Sequence, residues 1–191
     1  MLLFPVAVGG GVLAGYAGGG RLRGLGALRL RAVAVLVAAV VLQLALPGGR
    51  GVVQYALITA SYALVGGWLV VNLGRRAAVM RVGLGLLAAG WMLNLAPIAA
   101  NGAMPVSLGA LREVNPPLAE DLAGGELDKH VVAGSQTRLN GLGDIVPVAP
   151  FETVVSLGDI VMCIGIVLTT ATGMASVRGC RRRTHREEES I

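Results

Sequence analysis

The chain has 191 residues, of which 54% are hydrophobic and only 14% are charged. Soluble domains usually have about 25% charged residues, so this composition excludes an ordinary water-soluble domain, and it equally excludes intrinsic disorder. The formal charge of +5 comes from short basic clusters between apolar runs, with few aromatic residues for base stacking. This pattern is typical of membrane topology signals, and we expect the lipid bilayer rather than nucleic acid as the partner.

Five apolar runs approach the length of about 20 residues that a membrane-spanning helix needs. Backbone groups in lipid must be bonded within their own segment, so each run predicts a helix. The predicted spans are residues 2–20, 30–47, 52–73, 77–100 and 154–174. The sequence therefore predicts an all-α membrane protein, a bundle of about five transmembrane helices with a structured outer-face segment between spans four and five. Residues 1–176 form the membrane domain, and 177–191 form a basic cytoplasmic tail.

The basic residues also predict the orientation. Twelve Lys and Arg residues lie in the segments 21–31, 75–81 and 178–186, and four lie in the connections on the other side. The positive-inside rule places the N-terminus outside and the C-terminus in the cytoplasm. Because the chain is rich in residues with GC-rich codons, we expect a multi-pass protein of the bacterial cell (inner) membrane.

The first span contains a doubled small-residue spacing, with Gly11, Gly15 and Gly19 four residues apart. Such residues share one helix face and let a second helix approach closely. Two interpretations follow. The spacing serves packing within the bundle, or it forms the contact of a homodimer.

The outer segment, residues 101–153, is much longer than an ordinary connection, which indicates a functional or flexible element. It carries seven acids and three bases, so the outer face is acidic. Ser107 is placed to cap a short helix that runs through Val114. A second helical turn is predicted over residues 118–123, closed by Gly124 and Gly125.

A short repeat, Leu-Gly-Asp-Ile-Val, occurs at residues 142–146 and 157–161. In one interpretation Asp144 and Asp159 each occupy a helix start, where the helix dipole favours a negative charge. In the other they form a pair of carboxylates near the outer membrane boundary, and Arg138, Lys129 or His130 is the partner of Asp159.

His130 admits two further interpretations. In an extended segment it shares a face with Glu126 and Asp128 and could hold a divalent cation. It could also form a hydrolase-type catalytic triad with Ser107 and Asp144. The sequence lacks HxxxH, HExxH and GxSxG motifs, so we predict no metal, no cofactor and no catalytic residue.

Several elements together carry a family resemblance. Residues 101–107 read Asn-Gly-Ala-Met-Pro-Val-Ser, and Lys129-His130 and Thr137-Arg138-Leu139 follow, then the two Leu-Gly-Asp motifs. This order resembles the bacterial membrane-protein family catalogued as domain of unknown function 5317 (DUF5317), over nearly the whole chain. Ala103 stands where the family pattern leads us to expect Gly, and the tail beyond Gly173 is peculiar to this chain. The resemblance implies a multi-spanning membrane protein and supplies no activity.

We expect a non-enzymatic membrane subunit or binding protein whose outer segment engages a ligand, lipid or partner. The alternative is an enzyme that acts at the outer membrane surface on a lipid or lipid-linked substrate through Asp144 and Asp159. There, His130, Lys129 or Arg138 binds an anionic head group. The candidate ligand or structural-motif residues are Asn101, Met104, Pro105, Lys129, His130, Arg138, Asp144 and Asp159.

Overall fold

The structure is a computed structural model that describes residues 2–27, 30–45, 52–74, 78–125, 127 and 129–188. The described part is predominantly helical. Its elements in chain order are α1 (Leu3–Ala17), α2 (Arg23–Ala27), α3 (Val33–Ala45), α4 (Val52–Leu73), α5 (Ala78–Asn101), β1 (Met104–Val106), α6 (Leu108–Val114), α7 (Pro116–Gly124), β2 (His130–Val132), β3 (Val146–Val148), β4 (Thr153–Val155) and α8 (Leu157–Glu188).

Among the described residues, three helices are long and apolar enough to cross a membrane: Ala56–Leu73, Ala78–Asn101 and Leu157–Ala175. They correspond to the third, fourth and fifth predicted spans. The first two predicted spans contain the shorter apolar helices α1 and α3. The first ends early because the glycines at 18–20 form a turn, in which Gly19 has a φ of 71°. The predicted end of the second span, at residues 46 and 47, lies outside the described residues.

The last helix begins later than its prediction. We predicted a span over 154–174 and a basic tail from 177, whereas residues 154 and 155 belong to β4 and the apolar part of α8 covers Leu157–Ala175, with the helix continuing to Glu188. The described part of the tail is therefore a helical extension of the last span.

The described residues fall into two compact units. The first comprises residues 1–31, 71–87 and 163–191, and the second comprises 32–70 and 88–162. In the first unit, α1 packs directly on α8. A Cβ on Gly11 would lie 2.7 Å from Thr170 Cβ and 3.1 Å from Val167 Cα, and Gly15 contacts Met174 in the same way. Gly11 and Gly15 thus serve packing within the chain, while Gly19 lies in the turn that follows α1.

Asn72 fixes a turn in the first unit. Its side chain is fully buried, its Oδ1 accepts a hydrogen bond from the Arg31 backbone nitrogen at 2.9 Å, and its Nδ2 donates to the Arg31 carbonyl at 3.1 Å. One amide side chain therefore satisfies both backbone groups of a residue outside the helices, as an apolar setting requires.

The outer segment has its own hydrophobic core, and its elements all lie in the second unit. Strands β1 and β2 pair in parallel, with Met104 opposite His130, and α6 and α7 connect them. Ser107 caps α6 through a 3.2 Å bond to the Ala110 nitrogen, as its position in the sequence predicts. The core residues are Val106, Leu111, Ala119, Leu122 and Val154.

The strands of the outer segment were not predicted from the sequence. Each is three residues long, and β1 and β3 both contain proline. Three residues give too little alternation to reveal a strand, and proline argues against one. Strands β3 and β4 pair in antiparallel fashion, with Val146 opposite Val155.

Close packing of α5 on α8 gives a testable consequence for the first unit. A Cβ on Gly165 would lie 2.8 Å from both the Gly83 carbonyl oxygen and the Leu87 nitrogen, whereas Gly85 has open space. We expect Gly165→Ala to destabilise the protein by about 1–3 kcal/mol, because backbone cannot move aside as a side chain can. Gly85→Ala should leave stability unchanged or slightly raised. Thermal unfolding of the detergent-purified chain measures both, and equal effects would contradict the packing.

Candidate functional site

Three side chains form a closed hydrogen-bonded network between α5 and the start of α8. Asn94 Nδ2 donates to Asp159 Oδ1 at 2.7 Å, and Ser156 Oγ donates to Asn94 Oδ1 at 2.7 Å. Asn94 and Ser156 are both buried. A side-chain network that satisfies all its members in a low-dielectric setting is rigid, so this network holds the first turn of α8 against α5.

Ser156 and Asp159 also cap α8. The Asp159 nitrogen donates to Ser156 Oγ at 3.0 Å, and the Ser156 nitrogen donates to Asp159 Oδ2 at 3.2 Å. This reciprocal arrangement is a capping box, and it places the carboxylate at the positive end of the helix dipole. Both oxygens of Asp159 are therefore engaged in holding structure.

Glycines make room for this network. A Cβ on Gly158 would overlap Asn94 Oδ1 and would lie 2.6 Å from the Gly90 carbonyl oxygen, and a Cβ on Gly90 would lie 2.6 Å from Met162 Cγ. The two backbones therefore approach closely where the network forms.

Asp144 lies at the edge of β1 that faces away from β2. Its nitrogen donates to the Pro105 carbonyl at 2.8 Å, and its carbonyl accepts from the Ser107 nitrogen at 2.9 Å. The preceding Gly143 makes this possible, because a Cβ there would overlap the Pro105 carbonyl oxygen. The first Leu-Gly-Asp motif is thus a strand-edge element and not a helix start.

The Asp144 carboxyl lacks the partners that Asp159 has. Its Oδ1 is buried and has no hydrogen-bond partner among the described residues. Burial, and secondly the nearby Asp159 carboxylate, raise the pKa of Asp144 to about 7. The structure thus brings Asp144 and Asp159 into electrostatic contact, and we call these two residues the carboxyl pair.

Tyr62 lies near the carboxyl pair and packs against Trp91. The Tyr62 hydroxyl on α4 interacts electrostatically with both carboxylates, and its ring centroid is 5.8 Å from that of Trp91 on α5. Trp91 Nε1 is buried and, within the part of the chain that the structure describes, has no hydrogen-bond partner. Trp91 thus places this buried donor beside Tyr62.

Hydrogen bonds between Asn101 and Arg138 form a second connection between α5 and the outer segment. Asn101 Oδ1 accepts from the Arg138 nitrogen at 2.7 Å, and its Nδ2 donates to the Arg138 and Pro97 carbonyls at 2.8 and 2.7 Å. Arg138 is held through its backbone, and the residue is exposed. The hydrogen-bond partners that the structure gives Asp159 are Asn94 and Ser156, and the expected pairing with Arg138, Lys129 or His130 stays a prediction.

The remaining candidates lie in or beside the parallel strand pair. Met104 and Pro105 are buried, the Lys129 carbonyl accepts from the Met104 nitrogen at 3.0 Å, and His130 is opposite Met104. Burial, and then Lys129, lower the pKa of His130. Its imidazole is therefore mainly neutral at pH 7, which weakens its expected role in binding an anionic head group.

The metal interpretation falls on residues that the structure does not describe, because Glu126 and Asp128 lie outside the described ranges. Within those ranges no three His, Cys, Asp or Glu side chains are close enough together to hold a metal ion.

The family model for a family of unknown function, DUF5317, matches residues 25–171 of the chain. The chain belongs to this family. The expected resemblance is therefore confirmed, and the DUF5317 match contains the whole outer segment, Asn94 and the carboxyl pair. No curated protein and no solved structure matches the chain.

Sequence reasoning for this DUF5317 member singled out both residues of the carboxyl pair but missed their neighbours. As a polar residue within a predicted span, Asn94 is expected to bond to a neighbouring helix, but the sequence does not identify its partners, and Tyr62 and Trp91 give no signal. The Ser-x-x-Asp spacing at 156–159 is itself the signature of a capping box, and it could have identified Ser156 as the cap.

The network predicts a large effect of Asn94→Ala. This change leaves Ser156 Oγ and Asp159 Oδ1 each without their α5 partner in a buried setting, which costs about 1–3 kcal/mol. Met92→Ala, on an exposed residue of the same helix, is the matched control. Unfolding of both variants in mixed micelles measures the difference, and an Asn94→Ala variant as stable as Met92→Ala would show that the network contributes little.

Proposed function

We propose that the chain is a five-span protein of the bacterial cell membrane, with its N-terminus outside and its C-terminus in the cytoplasm. In this proposal the outer segment is a non-enzymatic binding platform that engages a ligand, lipid or partner protein. The membrane placement and the binding role rest on different observations and are tested separately.

Two short apolar helices support five spans. With 15 and 13 residues, α1 and α3 are about 22 and 20 Å long at 1.5 Å per residue, shorter than the hydrocarbon core of about 30 Å. A bilayer accommodates short helices by local thinning at modest cost. Both helices also expose aliphatic side chains, among them Leu13 and Val41, as lipid contact requires.

The location of residue 26 distinguishes five spans from three. If α1 and α3 both cross the membrane, the 21–31 segment is cytoplasmic, and if neither crosses, it lies outside. We expect Gly26→Cys, placed in a Cys163→Ala and Cys180→Ala background, to be protected from a membrane-impermeant maleimide applied to intact cells.

Gly134→Cys in the outer segment is the matched control, because a Cβ meets no atom within 4 Å at either glycine. It should be labelled from outside. Labelling of both positions in intact cells would support three spans and overturn the five-span proposal.

The observation that supports a binding platform is the rigid attachment of the outer segment. This segment has a hydrophobic core of its own and is tied to α5 through Asn101. A segment without a function would need neither, since a flexible connection suffices to join two spans. Its helices α6 and α7 expose the acids Glu113, Glu120 and Asp121, which suit a partner with basic or hydrogen-bond-donating groups.

Native mass spectrometry of the tagged chain, extracted gently from its own membrane, tests the binding role. We expect a stoichiometric protein, lipid or small-molecule adduct that is lost in the triple variant Glu113→Gln, Glu120→Gln, Asp121→Gln. Arg23→Gln on α2, also exposed, should retain the adduct. A chain without an adduct would contradict the proposal, and a mass of two chains would instead indicate a homodimer.

One observation favours the enzymatic alternative. Asp159 acts electrostatically on Asp144, and an Asp144 with a pKa of about 7 suits a general acid at neutral pH. The binding role is preferred because both Asp159 oxygens are committed to structural hydrogen bonds. If cells that lack the chain and cells that carry Asp144→Asn accumulate the same lipid species, the enzymatic alternative replaces the binding proposal.

A further inference from the structure

We propose that Asp144 and Asp159 together hold one proton, and that this proton keeps the strand-edge segment 143–145 packed against β1. Loss of the proton at higher external pH loosens this segment. The inference goes beyond the binding role and does not depend on it, because it concerns a pH-responsive contact within the outer segment itself.

The position of Asp144 Oδ1 disfavours a negative charge. This atom is buried without a hydrogen-bond partner among the described residues. An ionised carboxylate in such a position has lost hydration without replacement, which is costly. A protonated carboxyl avoids most of that cost, so the packed arrangement selects the neutral form of Asp144.

The groups around Asp144 favour its neutral form. From α8 it faces Asp159, the charged group that acts on it, and α4 contributes the Tyr62 hydroxyl. On α5, the neutral amide of Asn94 is bonded to Asp159. At β1 the contacts are with the backbone of Pro105 and Ser107. None of these described contacts supplies a positive charge that would stabilise a second carboxylate, so one proton for two carboxyls is the favoured state.

The proton on the carboxyl pair is linked to the packing of segment 143–145. The segment is attached through three backbone hydrogen bonds: Asp144 nitrogen to the Pro105 carbonyl, Ser107 nitrogen to the Asp144 carbonyl, and Ile145 nitrogen to the Val155 carbonyl, at 2.8, 2.9 and 3.2 Å. Because Asp144 Oδ1 is buried, hydrating this atom requires the segment around it to move. These three bonds are therefore the ones that ionisation should weaken.

The direction of the pH effect follows from the difference in proton binding. In the open form Asp144 is hydrated and has its ordinary pKa of 3.8, whereas in the packed form the pKa is about 7. Between these values the packed form holds more protons than the open form, so a rise in pH favours opening. The population of the open form therefore rises with pH up to about pH 7 and levels off above it.

Hydrogen–deuterium exchange of the full chain in nanodiscs tests the inference. We expect exchange over residues 143–145, corrected for the intrinsic pH dependence of amide exchange, to rise by about tenfold or more between pH 5.5 and 8.0. Asp144→Asn, which keeps shape and removes the titrating group, should show no such rise. The α6 amides provide an internal reference that should not change.

Two further variants complete the test. Asp121→Asn removes an exposed carboxyl of α7 and should keep the wild-type pH dependence. Asp159→Asn removes the neighbouring charge and should move the midpoint of the rise to lower pH. Exchange that does not depend on pH in the wild type, or that depends on it equally in Asp144→Asn, overturns the proposal, and neither result bears on partner binding.

Discussion

The structure depends on one constraint, which is that buried polar groups in an apolar environment must find partners within the protein. Asn94 meets this constraint for the second unit, because its single amide serves Ser156 and Asp159 at once. Asn72 does the same in the first unit, where it bonds both backbone groups of Arg31. Asparagine suits this role because it offers a donor and an acceptor on one short, rigid side chain.

Glycine residues are as important for this packing as the two asparagine amides, because they have no side chain. Gly90 and Gly158 let α5 and α8 approach until Asn94 reaches the cap of α8, and Gly143 lets the chain reach the edge of β1. In each case a methyl group would meet backbone, which cannot rotate away. The glycines of this chain therefore do more than shorten the distance between helices, since they determine which polar groups come within hydrogen-bond distance.

The sequence predicted the features that depend on local pattern. The long apolar runs of α4, α5 and α8, the Ser107 cap and the family could all be read from consecutive residues. The strands of the outer segment could not, because three residues with a proline give no periodic signal. The partners of Asp159 could not be predicted from consecutive residues either. Asn94 is 65 positions away, and only the packing of α5 on α8 brings the two residues together.

The repeated Leu-Gly-Asp motif shows how far identical residues can differ in chemistry. At 157–159 the motif begins a helix, and the carboxylate is stabilised by the dipole, the cap and Asn94. At 143–144 the chain lies along a strand edge, where the Asp144 backbone is bonded to Pro105 and Ser107 and its Oδ1 is buried without a hydrogen-bond partner among the described residues. Burial, and secondly the neighbouring Asp159, raise the pKa of Asp144. The same three residues therefore cap a helix at one site and place a half-buried carboxyl beside a strand at the other.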